Sequence, residues 1–355
     1  AEAQRRFGRL GLAEVLAPAV RLADEGYLIT KLQRRLLKWT APHWPVGSPE
    51  AALFLRDGRP YRVGDRFRQP ALAGSLRRLA AGGAEEFYRG AMSAEIAQDV
   101  ERRGGLLTAQ DLRGLWEGGA PILREAVSIE YRGRTVVSAP PPSGGVQVLL
   151  ALRILERLLV GGEDEAAWRL ALMEATLAAF RERERWPDHP GDMNPSLLRW
   201  MVSAERAEAI VSRIRAGVEE PPVVDSQGEG GNTTHLCATD GEGGVVSLTQ
   251  SIQSVFGSKV AHPTLGFVYN NYLSTSPRTS HPYRLGGGSL PQSNAAPTLV
   301  LDAAGRPVLA LGSAGSRRIT TSVVQVLSAV LDRGAWSRRL RSARCRCRDS
   351  HRRLA

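Results

Sequence analysis

A chain of 355 residues, 43% hydrophobic and 23% charged, has the composition of a folded protein with one large or two ordinary domains. No apolar run approaches the roughly 18 residues needed to span a bilayer, and Ala1-Glu2-Ala3-Gln4-Arg5-Arg6 is not followed by the apolar stretch of a signal peptide. The net charge of +11 is a local property: nine arginines against Asp349 alone put +8 into residues 333–355 and leave +3 for the rest, so no specific nucleic-acid partner is expected.

In chain order, Leu12, Leu16, Ala19, Val20 and Ala23 recur at helical spacing over 10–25, with Pro18 inside and Gly26 as the stop. Residues 50–63 read as a polar excursion with a short hairpin at Asp57-Gly58. Helices are predicted near 70–81 and 91–102, each followed by a Gly-Gly pair, and Thr108 with Asp111 makes a cap for a third. Val127, Ile129 and Tyr131 alternate as a strand, Arg132-Gly133-Arg134 turn, and Thr135-Val136-Val137 return until the prolines at 140–142.

Ser143-Gly144-Gly145 then open a helix with a broad apolar face through Leu159. A Gly pair before a helix can hold phosphate, but the spacing fits neither a P-loop nor a dinucleotide fingerprint, so close packing is the expected use. A helix over 163–185 offers Trp168, Leu172, Ala175 and Ala179 to the core and ends in Arg181-Glu182-Arg183-Glu184-Arg185, a charge run expected on the solvent surface. One more helix covers 204–216. Past an acidic, Gly-rich loop the pattern turns to hairpins, 234–239 with 244–251 and 298–302 with 307–312, and closes on a helix over 317–331. Helices first and hairpins later, with few strict βαβ units, predict an α+β fold of packed layers.

The abrupt change at Gly231-Asn232-Thr233-Thr234-His235 is where chemistry is expected. Thr is common in strands, so Thr233-Thr234 reads as the opening of a hairpin. It also reads as a self-cleavage site. A Thr hydroxyl without a base is a poor nucleophile, whereas an N-terminal Thr carries an α-amine whose pKa of about 7.7–8.0 suits a general base. Attack of Thr233 on the Asn232 carbonyl, followed by hydrolysis of the ester, would create that terminus.

The wider pattern resembles the γ-glutamyltranspeptidase family of N-terminal nucleophile hydrolases. It is carried by Thr233-Thr234-His235 with Asp240, then Phe256-Gly257, Asn270-Asn271, Pro297-Thr298 and Gly312-Ser313-Ala314-Gly315-Ser316-Arg317-Arg318-Ile319-Thr320-Thr321. Upstream, Glu86-Phe87-Tyr88-Arg89-Gly90, Gly104-Gly105-Leu106-Leu107-Thr108 and Pro140-Pro141-Pro142-Ser143-Gly144-Gly145 match in the same order, from about residue 10 to about 334. The resemblance implies a four-layer αββα sandwich. Residues 1–232 would be a large-subunit part without the family's N-terminal segment, and 233–334 a small-subunit part from the same precursor. Residues 335–355, in a chain with 44 Arg and 3 Lys, would be a disordered or out-of-frame Arg-rich tail, and the whole a fragment or processed form.

The resemblance also assigns roles. Thr233 is the nucleophile, Asn232–Thr233 the bond cut, and the freed amine the base; His235, on the strand face opposite Thr234, is scaffold. Ser251 and Gln253 stand where the family has a Thr and an Asn that hold the nucleophile and the substrate carboxylate. Gly315 and Ser316 stand on the Gly-Gly pair of the oxyanion hole, where Ser316 is strained if that backbone needs positive φ. Ser293 and Asn294 stand on two serines that bind the substrate carboxylate. Tyr272-Leu273-Ser274-Thr275 replace a Gln-Met-Asp-Asp run whose acid grips the substrate ammonium, so Tyr272 and Thr275 line a site without that charge. The implied reaction cleaves a small-molecule γ-glutamyl amide such as glutathione and passes the acyl group to water or an amino acid. A glutaryl or cephalosporin-type acylase, or an inactive homologue with a polyanion-binding tail, are the alternatives. With Cys237 isolated and Cys345-Arg346-Cys347 lacking a second ligand pair, neither a disulfide framework nor a metal is expected, and no cofactor. The compartment stays open; members of the family are often periplasmic or extracellular.

Overall fold

Two units make up the chain in the computed structural model, which describes residues 1–118, 121–159, 161, 164–183, 194–218, 231–275 and 289–335. The Arg-rich tail from 336 on, with Cys345 and Cys347, lies outside the described residues, as do Glu184, Arg185 and the acidic loop before Gly231. One unit takes Ala1–Arg124 and Ser254–Asn271; the other takes Glu125–Gln253 and the chain from Tyr272 on. Each therefore contains chain from both sides of Thr233.

The first unit begins with α1 (Glu2–Phe7) and α2 (Leu12–Glu25), which accommodates Pro18 and stops at Gly26, φ 81. After β1 (Tyr27–Leu28) comes α3 (Lys31–Thr40), an element the periodicity did not predict; its start is written in a reciprocal Thr30–Gln33 capping box. Next are α4 (Pro49–Phe54), the hairpin β2 (Leu55–Arg56) and β3 (Arg59–Pro60) turning on Asp57 and Gly58 as expected, and β4 (Arg66–Phe67), paired with β1. The helix expected to end at 81 is α5 (Pro70–Tyr88): Gly83 at φ 67 kinks the chain, which then resumes its helix. α6 (Ala91–Arg102) and α7 (Ala109–Glu117) follow, the latter with the predicted Thr108–Asp111 box.

Residues 254–271 are built into this unit by polar contacts. Asp99, buried, accepts from the Tyr269 hydroxyl at 3.1 Å and from Arg102 and Arg103. Burial alone would raise its pKa, but Tyr269 and the two guanidiniums outweigh that and hold the carboxyl below its ordinary value. Buried Glu50 accepts from Ala261 N at 2.9 Å, Trp44 Nε1 donates to Lys259 O at 2.9 Å, and Ser75 Oγ to Leu265 O at 2.8 Å.

The second unit centres on an antiparallel sheet. The predicted hairpin is β5 (Val127–Tyr131) and β6 (Arg134–Ser138); strands β9 (Thr298–Leu301) and β10 (Pro307–Leu311) complete the order β10-β9-β6-β5. The register aligns Ile129, Val136 and Val300 across three strands, all buried, so one face of the sheet is continuous core. Onto it packs α8 (Gly145–Leu158), buried at nearly every position to Leu155, and around α8 pack α9 (Glu165–Arg183), α10 (Pro195–Met201), α11 (Ala204–Arg215) and α12 (Arg318–Leu331). The Gly pair serves close approach: a Cβ on Gly145 would overlap Ala139 O, and one on Gly144 would lie 2.8 Å from Thr320 Cγ2. The remaining strands, β7 (Gly231–Thr239) and β8 (Val245–Ser254), form their own hairpin. Helix and sheet are thus mixed as the α+β expectation has it.

The charge run at the end of α9 departs from expectation. Glu182 is 1% exposed and takes Arg206 and Arg213 of α11 as partners, while half-buried Arg183 turns toward residues 142–147 and 293–294. A buried carboxylate requires a paired cation, and those cations lie some twenty residues or more downstream, beyond the reach of a local reading.

Candidate active site

Alternation along β7 puts Thr233 and His235 on one face and Thr234 on the other, as their burial shows. The inner face of the hairpin is a polar ladder. The Thr233 hydroxyl donates to Ser251 Oγ at 3.1 Å, His235 Nδ1 lies 2.8 Å from Thr249 Oγ1, and His235 Nε2 lies 3.1 Å from Cys237 Sγ. Ser251 Oγ also accepts from Gln253 N at 3.0 Å, with Gln253 at φ 77, so Ser251 and Gln253 meet the Thr233 hydroxyl as one turn. Burial pushes the His235 imidazole below its ordinary pKa and the Cys237 thiol above its own, so both are neutral near pH 7. The neutral imidazole is engaged with Thr249 and Cys237 on its two ring nitrogens.

Strand β10 reaches this ladder. Ser247 Oγ donates to Leu311 O at 3.1 Å, and Gly312 abuts the His235 ring so closely that a Cβ would overlap it. Three residues on, Gly315 (φ 117) and Ser316 (φ 57) both turn left-handed. Their carbonyls accept from Arg318 N and Ile319 N at the start of α12, and among the described residues neither of their own N–H groups has an acceptor. The strain expected at Ser316 is therefore present, at a cost of about 1–2 kcal/mol for an L-residue. Backbone donors with no acceptor among the described residues are the kind of group that can stabilise an oxyanion.

Ser293 and Asn294 sit against the turn at 142–145. Ser293 N donates to Pro142 O at 3.0 Å, and Gly144 N to Ala295 O at 2.9 Å. Arg183 binds both segments: Nη2 donates to Pro142 O at 3.0 Å and Ser293 O at 2.7 Å, and Nη1 to Asn294 Oδ1 at 3.2 Å and Gln147 Oε1 at 3.1 Å. Thr320 of α12 lies against Gly144, which joins this cluster to the helix that begins just after Ser316. Tyr272 and Thr275 form one 3-10 turn in which Thr275 Oγ1 donates to Tyr272 O at 2.7 Å; no bond joins them to Thr233 among the described residues. The side chain of Asn232 lies outside the described residues. Sequence reasoning gave Arg183, Thr249 and Gly312 no place in this cluster; for Thr249, strand alternation from Ser251 was an available signal.

A family model described as gamma-glutamyltranspeptidase matches residues 1–343, continuing past Gly334. The glutathione hydrolase proenzyme of Escherichia coli (strain K12) is 30% identical over 351 residues, covering 93% of this chain and 59% of that protein. The acylase ACY 1 proenzyme of Pseudomonas sp. (strain SE83) is 32% identical over 342 residues, again 93% and 59%. Among solved structures, a cephalosporin acylase from Bacillus halodurans superposes with TM-score 0.81 at 27% identity, over 94% of this chain and 61% of its own. The chain thus spans about three-fifths of the length of the proteins it resembles.

Proposed function

The chain belongs to the γ-glutamyltranspeptidase family, and from that membership we propose that it is an amide hydrolase or acyltransferase working through an ester on Thr233. The observation that carries this is the Thr233 hydroxyl bonded to Ser251 at the end of the ladder whose other neighbour, Gly312, leads to the unspent Gly315 and Ser316 donors. In the precursor, Thr233 Oγ attacks the Asn232 carbonyl carbon, the C–N bond breaks, and the nitrogen becomes the α-amine of Thr233. Water then hydrolyses the Asn232 ester and leaves two chains. In turnover the amine takes the hydroxyl proton, Oγ attacks the substrate amide, the proton passes to the leaving nitrogen, and water or an amino acid accepts the acyl group. Each oxyanion donor is worth about 2.7–4 kcal/mol in such steps.

The substrate class is a small γ-glutamyl amide of the glutathione type. One observation favours a second reading, an acylase for glutaryl or cephalosporin-type amides: the turn Tyr272–Thr275 carries no carboxylate to pair an ammonium. The architecture proposed is the four-layer αββα sandwich. Helices α8, α9, α11 and α12 and the sheet β10-β9-β6-β5 supply two layers, and β7–β8, held to β10 through Ser247 and Gly312, belongs to a second sheet. The parts 1–232 and 233–334 would stay together after the cut, because β6 pairs with β9 across it and 254–271 is bonded into the first unit.

Denaturing gels with mass spectrometry test the proposal. Wild-type protein should yield two chains parted between Asn232 and Thr233, and Thr233→Ala should stay in one piece. A wild-type chain that remains whole after long incubation removes the mechanism.

A further inference from the structure

We propose that Arg183 is a positioning residue that sets the polarity of the acyl-recognition site: by bonding Asn294 Oδ1 it turns the amide so that Nδ2 faces the substrate, and the site presents donors to a carboxylate. This rests on the reading of Ser293 and Asn294 as substrate-binding residues, and it holds for γ-glutamyl and glutaryl amides alike, since both bear a carboxylate at the far end of the acyl chain.

A guanidinium has five N–H donors and no acceptor, so the Asn294 atom 3.2 Å from Arg183 Nη1 is necessarily the oxygen. That removes the two-fold ambiguity of an amide: Nδ2 is turned away from Arg183 and has no acceptor among the described residues. Ser293 is left in the same state. Its Oγ accepts from Ala295 N at 3.1 Å, its backbone is tied to Pro142 and Arg183, and its hydroxyl hydrogen has no acceptor among the described residues. The same guanidinium orients Gln147, 2% exposed, whose Nε2 is buried without a partner among the described residues. Three side chains around one cation therefore have their acceptor oxygens occupied and, among the described residues, their donors free. Such a cluster favours an anion and disfavours an ammonium.

The four bonds also explain why the residue is an arginine. They reach one carbonyl on each of two chain segments and one amide oxygen on each of two side chains, a spread that matches the flat fork of a guanidinium and not the point charge of a lysine. At its back, α9 is held to α11 by Glu182 with Arg206 and Arg213, so the fork is delivered from a fixed helix end.

The test uses the full chain and glutarate, a turnover-independent probe, with binding measured by calorimetry beside KM and kcat on a glutaryl anilide. Asn294→Asp keeps an oxygen for Arg183 and replaces the donor amide by an acceptor. It should weaken glutarate binding and raise KM at least tenfold, with kcat within about threefold. Arg183→Gln should do the same, and Arg183→Lys should recover part of the loss. Should Arg183→Gln fail to fold, Asn294→Asp decides alone. Glutarate affinity within threefold of wild type in Asn294→Asp, or no glutarate binding by wild type, overturns the inference. Wild-type protein that binds glutarate but is never cut at Thr233, with binding lost in Asn294→Asp, sinks the nucleophile reading and leaves this one standing.

Discussion

Gly312 lies against the imidazole of His235, with no room for a Cβ between them. That contact joins the strand carrying Thr233 to the one leading to Gly315 and Ser316, so the proposed nucleophile and oxyanion donors would be registered by a glycine that belongs to neither group. Its backbone is not left-handed; the demand is for space alone.

Gly312→Ala should therefore displace His235 from Thr249, at an overpacking cost of about 1–3 kcal/mol. Cutting at Asn232–Thr233 should slow with it. Gly305 is the control: it has open space and φ 74 in the β9–β10 turn, so Gly305→Ala should cost about 1 kcal/mol and leave cutting unchanged. Thermal melts and a time course of chain masses read both effects. Equal cutting rates in the two variants would remove the registering role of Gly312.

Ser251 accepts two donors, the Thr233 hydroxyl and the Gln253 amide, and replacing it with Ala leaves both without an acceptor. The stability cost should be modest, about 1 kcal/mol for such a bond. The kinetic cost should be larger, because a nucleophile free to rotate spends less time aligned. Cutting should slow at least tenfold in Ser251→Ala and stay within about threefold in Ser251→Thr. Mass spectrometry of fresh protein over time measures this, and a Ser251→Ala chain cut at the wild-type rate shows that Ser251 does not hold the nucleophile.

Most of the fold was legible where the cause is local. Gly26 ends α2, the Thr108–Asp111 box begins α7, and Asp57-Gly58 turns a hairpin, because each of these is settled by one or two residues. At the proposed site, the left-handed backbone of Ser316 was anticipated from the Gly-Gly pair of the family it resembles. What escaped were side chains whose partners are remote in sequence. Glu182 and Arg183 look like a solvated helix end until Arg206, Arg213, Ser293 and Asn294 are brought to them, and no periodicity encodes that. α3 escaped for another reason: its many cations mask the apolar spacing, and only the Thr30–Gln33 box announces it.

Acid should weaken the packing of β7. Burial holds the folded-state pKa of His235 below its ordinary 6.5, so the fold favours the neutral ring. The unfolded chain then binds more protons between the two values, and the stability contributed by His235 is complete above about pH 6.5 and lost as pH falls toward the folded value. Its ring contacts, the Thr249 hydroxyl and the Cys237 thiol with its raised pKa, stay neutral throughout that window. Carboxylates with depressed values such as Asp99 lose their contribution only at lower pH. Melting temperatures should accordingly fall from pH 7 to about pH 5 in the wild type and fall less in His235→Gln. Parallel curves for the two proteins would mean that another group carries the acid sensitivity.

Substrate choice should turn on Thr275. Its hydroxyl hydrogen is committed to Tyr272 O at 2.7 Å, and the turn Tyr272–Thr275 offers an incoming ammonium no carboxylate. Leaving one member of a buried charged pair without its partner costs about 2–5 kcal/mol, thirtyfold or more in affinity. An acyl group that has the carboxylate but not the amine escapes that cost. The unmutated protein should thus cleave a glutaryl anilide at least as well as the γ-glutamyl anilide that differs only by the amine. Thr275→Asp should shift the ratio of kcat/KM values at least tenfold toward γ-glutamyl by restoring a carboxylate where the ammonium would lie. A strong γ-glutamyl preference before mutation would mean that a negative charge elsewhere meets the ammonium, and the glutaryl reading would then give way to the γ-glutamyl one.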